Sequence, residues 1–340
     1  MPKPAIAVKP FRIVLSLLLA GSLGAITWVR SPVPRIDPQA RPQMVTLALP
    51  GKRALAGHLG AFRLDATWQI TAPRPAFGGY SALVPQGDGW LWAVSDRGTV
   101  LRINPAMARI AVPKPWRLYD PKGSGPQETD AEAAVRDPIT GRFWVSWETT
   151  NSIVRFSPGW RREATVRPPA MRDWGFNDGP EAMARLADGR FILLREGSHR
   201  QDGESVHAAL LFGGDPITTP SPMRFAFAGP EPFSPVDMTP LPDGRVLVLL
   251  RRLIWPAPAR FAGRLAIVDP AEIRAGKVWR AREVARLSST LPVDNFEGMA
   301  IEPGGPGEGG RLTLWLISDN NGAALQRTLL WKLSFDPAEL

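Results

Sequence analysis

The sequence has no cysteine, only three histidines and only two tyrosines among its 340 residues. The absence of cysteine excludes disulfides, thiolate-bound metals, iron–sulfur clusters and a cysteine nucleophile. His58, His199 and His207 are too few and too scattered for a histidine-rich metal centre. The sequence also lacks a G-x-S-x-G elbow, a P-loop, an H-E-x-x-H motif and an EF-hand loop. A metal site in this chain would therefore use oxygen ligands.

The formal net charge of +9 is concentrated at the N-terminus. Residues 1–43 hold six cations and one anion, whereas the rest of the chain holds 35 cations and 31 anions. No cluster of basic residues with interleaved aromatics is present, so the sequence predicts no nucleic-acid partner.

Residues 1–30 are predicted to be a signal peptide or an uncleaved membrane anchor. Three cations precede an apolar run at residues 13–29, which is long for a signal peptide and barely long enough to span a bilayer. A buried core helix is the alternative. Either export interpretation predicts a secreted protein, or a periplasmic one if the source is Gram-negative, held at the inner membrane if the segment is not cleaved.

The next boundaries follow from composition. Residues 31–43 contain four prolines and little apolar sequence, which predicts a linker, and residues 44–340 are predicted to form one domain. We expect membrane contact only through the N-terminal segment, and a monomer.

A repeat pervades this domain. In four copies, a glycine is followed seven residues later, through an apolar run, by a charged residue: Gly89 and Asp96, Gly141 and Glu148, Gly189 and Glu196, Gly244 and Arg251. A looser fifth copy runs from Asp294 to Asp319. Each copy has a further apolar strand before the glycine, and Asp-Gly between apolar runs is a strong hairpin signal. Copies about 50 residues apart predict an all-β β-propeller of about five to six four-stranded blades.

The ends of the domain leave two arrangements open. Apolar strands are predicted at residues 45–49 and 62–70, and the last predicted strand covers residues 329–333. The N-terminal strands either complete a sixth blade or pair with the last strand and close the ring, which would remove an exposed edge.

Charged residues are predicted to gather at one mouth of the central channel. In a hairpin, the start of the first strand lies beside the end of the second. The resulting pairs are Ser81 with Asp96, Glu132 with Glu148, Glu181 with Glu196, Val236 or Asp237 with Arg251, and Glu297 with Asp319.

Adjacent carboxylates must gain a proton, meet an arginine or share a cation. Oxygen ligands favour Ca²⁺ over Zn²⁺, and the structural alternative is that these acids only join neighbouring blades.

We assign three roles within this mouth. The predicted catalytic residues are Glu181, Glu196 and Glu297. The predicted substrate-binding residues are Arg97, Arg195, Arg251, Asn177 and Asn295. The predicted metal ligands are Asp96, Glu132, Glu148 and Asp319.

An ordered set of motifs resembles a known family. The motifs are Ser95-Asp96-Arg97-Gly98, the Asp130-x-Glu132 strand ending in Glu148, the Asn177-x-x-x-Glu181 strand ending in Arg195-Glu196, the Asp237 strand ending in Arg251-Arg252, and Asp294-Asn295-Phe296-Glu297-Gly298 answered by Ser318-Asp319-Asn320-Asn321. Over roughly residues 56–335, the chain resembles the "esterase-like activity of phytase" family, phytase-like domains typical of exported bacterial proteins.

The resemblance implies a propeller that hydrolyses carboxylic esters or phosphoesters. Similarity to the calcium-dependent β-propeller phytases adds Ca²⁺ and a phosphorylated polyol, although no dense Lys/Arg pocket for phytate is present. The prediction is a metal-assisted hydrolase of a small ester or phosphoester. The alternatives are a non-catalytic periplasmic binding or scaffold propeller, a lactonase with a Glu/Asn/Asp metal site, and a quinone-dependent sugar dehydrogenase, which would need a histidine base.

Overall fold

A computed structural model describes most of the chain. The described residues are 14–18, 21, 41–55, 57–72, 77–114, 117–118, 130–175, 178–256, 259–288, 291, 293–305, 310–323 and 325–340. Residues 14–18 are helical. Most of the predicted signal or anchor segment and of the predicted linker lies outside the described residues. Within the described part of the chain, no helix is both long enough and apolar enough to cross a bilayer.

The described residues form 22 strands in five sheets, which are the blades of a five-bladed β-propeller. Blade 1 contains β3 (Tyr80–Pro85), β4 (Leu91–Ser95), β5 (Val100–Asn104) and β6 (Arg109–Ala111). Blade 2 contains β7 (Ala131–Arg136), β8 (Phe143–Trp147), β9 (Ser152–Phe156) and β10 (Arg162–Val166). Blade 3 begins with β11 (Pro180–Arg185), β12 (Phe191–Gln201), β13 (Glu204–Phe212) and β14 (Met223–Ala228).

Blades 4 and 5 use the rest of the chain and both of its ends. Blade 4 contains β15 (Ser234–Pro240), β16 (Val246–Pro256), β17 (Ala259–Val268) and β19 (Arg282–Leu287). Between the last two, β18 (Val278–Arg280) adds a fifth, parallel strand to blade 3. Blade 5 contains β20 (Asn295–Pro303), β21 (Leu312–Asp319) and β22 (Thr328–Phe335), followed by β2 (Arg63–Thr71) and β1 (Gln43–Thr46). The helices are short: an α-helix at Lys52–Leu55 and 3-10 turns at Pro169–Met171, Pro270–Glu272 and Pro337–Glu339.

The N-terminal strands close the ring. Strand β2 pairs antiparallel with β22, with Trp68 opposite Leu330, and β1 extends the same sheet. This confirms ring closure by the two ends of the chain, whereas the alternative of a sixth blade is wrong. The arrangement hides the edge that β22 would otherwise present to solvent.

Packing between blades explains why the strands are continuous apolar runs. Strand β4 is buried at all five positions because neighbouring blades cover both of its faces. Large aromatic side chains fill the space between the blades. Trp92 of blade 1 lies edge-on to Phe143 of blade 2 with ring centroids 6.3 Å apart, and Trp144 of blade 2 lies 5.1 Å from Phe191 of blade 3.

The innermost strands β3, β7, β11, β15 and β20 surround the channel in that order, and β20 returns to β3. The predicted Asp-Gly turns join the first and second strands at the face opposite the mouth. Gly189 has a φ of +87° and Gly244 a φ of +93°, a conformation that glycine adopts without steric cost. These turns orient every blade in the same way, so all the innermost strands begin at one face.

Candidate functional site

The innermost strand of each blade has a β-bulge at its start. The register shifts between Tyr80 and Ala82, Ala131 and Ala134, Pro180 and Ala182, Pro235 and Asp237, and Phe296 and Gly298. The residues inside these bulges include Ser81, Glu132, Glu181, Val236 and Glu297. A bulge leaves a residue out of the ladder and redirects its side chain, and bulges are common beside functional sites. Three of the five bulges therefore present a glutamate at the same mouth.

The ends of the second strands supply the facing residues. Ala131 pairs with Trp147 and Pro180 with Arg195, so the next residues, Glu148 and Glu196, follow directly at the mouth. In blade 5, Asn295 pairs directly with Asp319. In blade 4, Arg251 pairs with Ser234 and takes the position that an acid has in other blades. In blade 1, Tyr80 pairs with Ser95, which brings Ser81 and Asp96 to the mouth. The register therefore brings the predicted partners together in blades 1, 2, 3 and 5, but not in blade 4.

Two groups of three carboxylates meet in the mouth and share one residue. Oxygens of Asp130, Glu132 and Glu148 lie within 4.8 Å of one another, and so do oxygens of Glu148, Glu181 and Glu196. Oxygen atoms this close are within reach of a common cation. Among the described residues, the predicted ligands Asp96 and Asp319 belong to neither group.

Glu148 is the shared residue, and the backbone fixes its position. Its Oε1 accepts a hydrogen bond from the Gly179 N–H at 2.9 Å. Gly179 has no room for a side chain, because a Cβ would lie 2.6 Å from Glu148 Cγ. Burial raises the pKa of Glu148 to about 7, and the charge of Asp130 adds to the shift.

Glu181 and Glu132 line the centre of the mouth. Glu181 is buried, and burial raises its pKa well above its usual range, with the charge of Glu196 adding to this. Glu132 is surrounded by protein yet keeps partial access to the channel. Burial and the charges of Glu181 and Glu297 raise the pKa of Glu132 well above normal. The apo mouth therefore retains protons at neutral pH.

Arg251 is the central cation. Its Nη2 lies 3.1 Å from Glu297 Oε1 and 3.5 Å from Glu196 Oε1. The acids around Arg251 raise its pKa further, so it remains charged. Burial raises the pKa of Glu297 to about 8 despite Arg251. Asn295 donates to Glu297 at 2.7 Å and is only 1% exposed, and its Oδ1 has no hydrogen-bond partner among the residues that the structure describes.

A second acidic pair lies between blades 1 and 5. Burial raises the pKa of Asp96 to about 7, and the charge of Asp319 adds to the shift. Burial also raises the pKa of Asp319, which accepts the Asn321 N–H at 2.7 Å. Arg97 lies beside Asp96, with Nε 3.8 Å from Oδ1.

The remaining predicted binding residues differ in their surroundings. The Arg195 guanidinium is held by Asp178, through its carbonyl oxygen at 2.8 Å and through its carboxylate. Arg195 thus already has an anionic partner. Asn177 lies outside the described residues.

Asp237 departs from the predicted pairing with Arg251. Its carboxylate accepts the Met299 N–H at 2.6 Å and the Met238 N–H at 2.8 Å. Burial without a nearby cation raises its pKa well above normal. The bulge at Val236 turns Asp237 towards blade 5. Asp237 also lines a cavity of about 210 Å³ in the central channel, to which all five blades contribute.

Two contributors were not assigned a role from the sequence. Asp130 completes the first carboxylate group. Its position two residues before Glu132, in a motif shared with the family, could have indicated this role. His207 Nδ1 lies 2.7 Å from the Glu196 carbonyl oxygen. No local pattern indicates this contact, because a bulge between Leu194 and Ser198 creates it.

The fold and the site define a five-bladed propeller with a buried, acid-rich channel mouth. The Phytase-like family model, described as esterase-like activity of phytase, matches residues 75–322, and the chain belongs to this family. The comparison with curated proteins gave no match.

Solved structures with a similar fold have low sequence identity. An endo-arabinase from Bacteroides thetaiotaomicron has 9% identity and a TM-score of 0.48, with 76% of this chain and 94% of that chain covered. The PQQ-bound aldose sugar dehydrogenase of Streptomyces coelicolor has 14% identity and a TM-score of 0.41, with 84% and 100% covered. Kuenenia stuttgartiensis hydrazine synthase has 10% identity and a TM-score of 0.39, with 74% of this chain and 59% of that chain covered. At these identities the likenesses do not bear on the chemistry.

Proposed function

We propose that this protein is an exported, metal-assisted hydrolase of phosphoesters or carboxylic esters, with its site at the acidic mouth. The observation that carries the proposal is the pair of carboxylate groups that share Glu148 beside the cation Arg251. Such a concentration of buried acids is costly unless protons or a cation neutralise it. Family membership supports the ester-bond chemistry.

The donor set fits a hard divalent cation. All the candidate ligands are carboxylate oxygens, which Ca²⁺ prefers. Beside Glu297, the buried acceptor Asn295 Oδ1 has no hydrogen-bond partner among the described residues. Glu148, Glu181 and Glu196 would hold Ca²⁺, with Asp130 and Glu132 on the other side of Glu148. Bound there, Ca²⁺ would polarise a phosphoryl or acyl oxygen of the substrate.

The surrounding residues would supply binding and proton transfer. Arg251 would hold the anionic group of the substrate, since its guanidinium faces the two glutamates across the mouth. Glu297 belongs to neither carboxylate group and has a pKa near 8, so it would carry a proton at neutral pH and donate it to the leaving oxygen. Glu196 offers one carboxylate oxygen to the metal group, and its other oxygen would accept the proton of the attacking water.

The non-catalytic alternative also has a specific observation in its favour. Three mouth acids accept neighbouring backbone N–H groups: Asp96 from Arg97, Glu148 from Gly179 and Asp319 from Asn321. These bonds stabilise loops and join blades 2 and 3. An acidic ring of this kind would serve a scaffold or a ligand-binding propeller.

The test is an assay of the purified full-length chain against phosphomonoesters, short-chain carboxylic esters, lactones and phytate, each with Ca²⁺ and with EDTA. We expect turnover of one ester class that EDTA abolishes, and a loss of about 10²-fold or more in Glu181→Gln and Glu297→Gln. The matched control is Glu283→Gln on the outer strand of blade 4, where Glu283 pairs with Arg264 and Arg286.

Each result has a distinct meaning. If both mouth variants leave turnover and Ca²⁺ binding unchanged, the site assignment is wrong. If no substrate is turned over but Ca²⁺ raises the melting temperature, the binding or scaffold alternative is favoured. Export through residues 1–30, with a linker at 31–43, is a further proposal, checked by cell fractionation and N-terminal sequencing of the mature protein.

A further inference from the structure

The hairpins of blades 3 and 4 extend beyond the mouth, and their described residues differ in character. The pairing of β15 with β16 ends at Arg251, but β16 continues and pairs only with β17. In blade 3, β12 continues past Arg195 and pairs only with β13. The blade 3 extension is polar in sequence, with His199, Arg200 and Gln201 along its first strand. The blade 4 extension is described at residues 252–256 and 259–262, and it carries exposed apolar side chains on its first strand.

Two adjacent apolar side chains of this blade 4 extension are exposed. Leu253 is 48% exposed and Ile254 is 40% exposed. A bulge between Leu253 and Trp255 leaves Ile254 outside the ladder, which bends the strand at this point. Elsewhere among the described residues from 77 to 340, large exposed apolar side chains occur singly: Met107, Val112, Ile139 and Leu325.

Cations surround this apolar pair. Arg252 precedes it and stacks 5.7 Å above the Phe233 ring, and Arg260 on the returning strand is exposed. The ion pairs of this region use Arg251 and Arg264 instead. Within the part of the chain that the structure describes, no carboxylate pairs with Arg252 or Arg260. An exposed apolar pair between these arginines complements a lipid surface with anionic head groups.

We propose that the blade 4 extension inserts Leu253 and Ile254 into the interface of an anionic lipid bilayer, with Arg252 and Arg260 at the head groups. A protein partner fits the observations less well, because a specific interface covers about 800 Å² on each partner. Two adjacent exposed apolar side chains on a two-stranded ribbon offer much less. Insertion would direct the channel mouth towards the lipid surface, since the extension rises from that face. This membrane contact would be additional to the N-terminal one, which was the only one expected from the sequence.

The test uses the absence of cysteine in the full-length chain. Leu253→Cys is labelled with an environment-sensitive fluorescent dye and mixed with vesicles of phosphatidylcholine, or of phosphatidylcholine with phosphatidylglycerol. We expect a several-fold rise in emission and a shift to shorter wavelength with the anionic vesicles. High salt should weaken this response. Arg252→Gln and Arg260→Gln should each lower the apparent vesicle affinity about fivefold.

The matched control is a dye at Ile139→Cys, a residue 90% exposed in the turn between β7 and β8 on the opposite face. This dye should not respond. A dye at residue 253 that responds no more than the one at 139 overturns the proposal, even if the N-terminal segment carries the chain onto vesicles. A response to protein concentration without lipid also overturns it, in favour of self-association. Ile254→Cys provides a second labelling site if Leu253→Cys misfolds. No arm measures hydrolysis, so the result is independent of the proposed enzymatic function.

Discussion

Arg251 of blade 4 lies 3.1 Å from Glu297 of blade 5, and both side chains are largely buried. The same guanidinium approaches Glu196 of blade 3 at 3.5 Å. One cation thus connects three blades at the centre of the mouth. Removing it would leave Glu196 and Glu297 without the cation that they share, and Asn295 would remain as the donor to Glu297.

Arg251→Met should destabilise the fold by about 3 kcal/mol at pH 8, because the loss of one partner leaves uncompensated buried charge. The loss in the free energy of unfolding should be smaller at pH 5, where the glutamates can take up protons. Urea unfolding at both pH values measures this. Arg190→Met removes an exposed pair with Asp188 and should cost less than about 1 kcal/mol. Equal costs for the two variants would contradict a central role for Arg251.

The stability of the apo protein should fall as pH rises from 5 to above 8. Burial raises the pKa values of Asp96 and Glu148 to about 7 and of Glu297 to about 8. The folded state therefore binds more protons than the unfolded chain, whose carboxyl groups have pKa values of about 4. The stabilising contribution is complete below that value and is lost as pH rises through 7 and 8.

Melting temperatures measured across this range in EDTA check the pH prediction. Ca²⁺ should reduce the fall in melting temperature at high pH, because it would neutralise the carboxylates that have lost their protons. Glu148→Gln should flatten the profile. A melting temperature that rises between pH 6 and 8 in EDTA would contradict the assigned shifts.

Gly179→Ala should displace Glu148 without unfolding the protein, because the new methyl group would collide with the Glu148 side chain. We expect Ca²⁺ affinity to fall about 10- to 100-fold, as when a supporting contact of a metal ligand is lost. Isothermal titration calorimetry measures this. Gly213→Ala is the control, since a Cβ there meets no atom within 4 Å. Unchanged affinity in Gly179→Ala would place the cation elsewhere.

Trp331→Ala should destabilise the ring closure by about 3 to 5 kcal/mol. Trp331 is fully buried on β22, the strand that joins the two ends of the chain, and its ring packs on Phe296. The midpoint of urea unfolding reports the loss. Leu325→Ala, at a residue 60% exposed, should change it by less than about 0.5 kcal/mol. Similar midpoints for both variants would contradict a structural role for the closure.

Much of the fold could be predicted because its signals are local. Apolar runs buried on both faces, such as Leu91–Ser95, and Asp-Gly turns, such as the one at Gly189, are features of a single hairpin. Their recurrence about every 50 residues predicts a propeller. Blade number remained open between five and six, because ring closure pairs strands from opposite ends of the chain.

The candidate site was predictable in part for the same reason. Hairpin geometry places Glu181 beside Glu196 and Glu132 beside Glu148, and both pairs are observed at the mouth. Asp237 shows the limit. The strand that contains Asp237, and its place near the mouth, were predictable. The bulge that turns its side chain away from Arg251 and towards the Met299 N–H depends on packing against blade 5.

The sequence by itself therefore determined the repeating hairpin, the all-β class and the acids at the ends of the strands, because these depend on neighbours within one repeat. Only the tertiary structure decided that Glu148 is shared by two carboxylate groups and that Arg251 lies between Glu196 and Glu297. These contacts join separate blades. Their geometry depends on how five bulged strands surround one channel, and no single stretch of sequence encodes that arrangement.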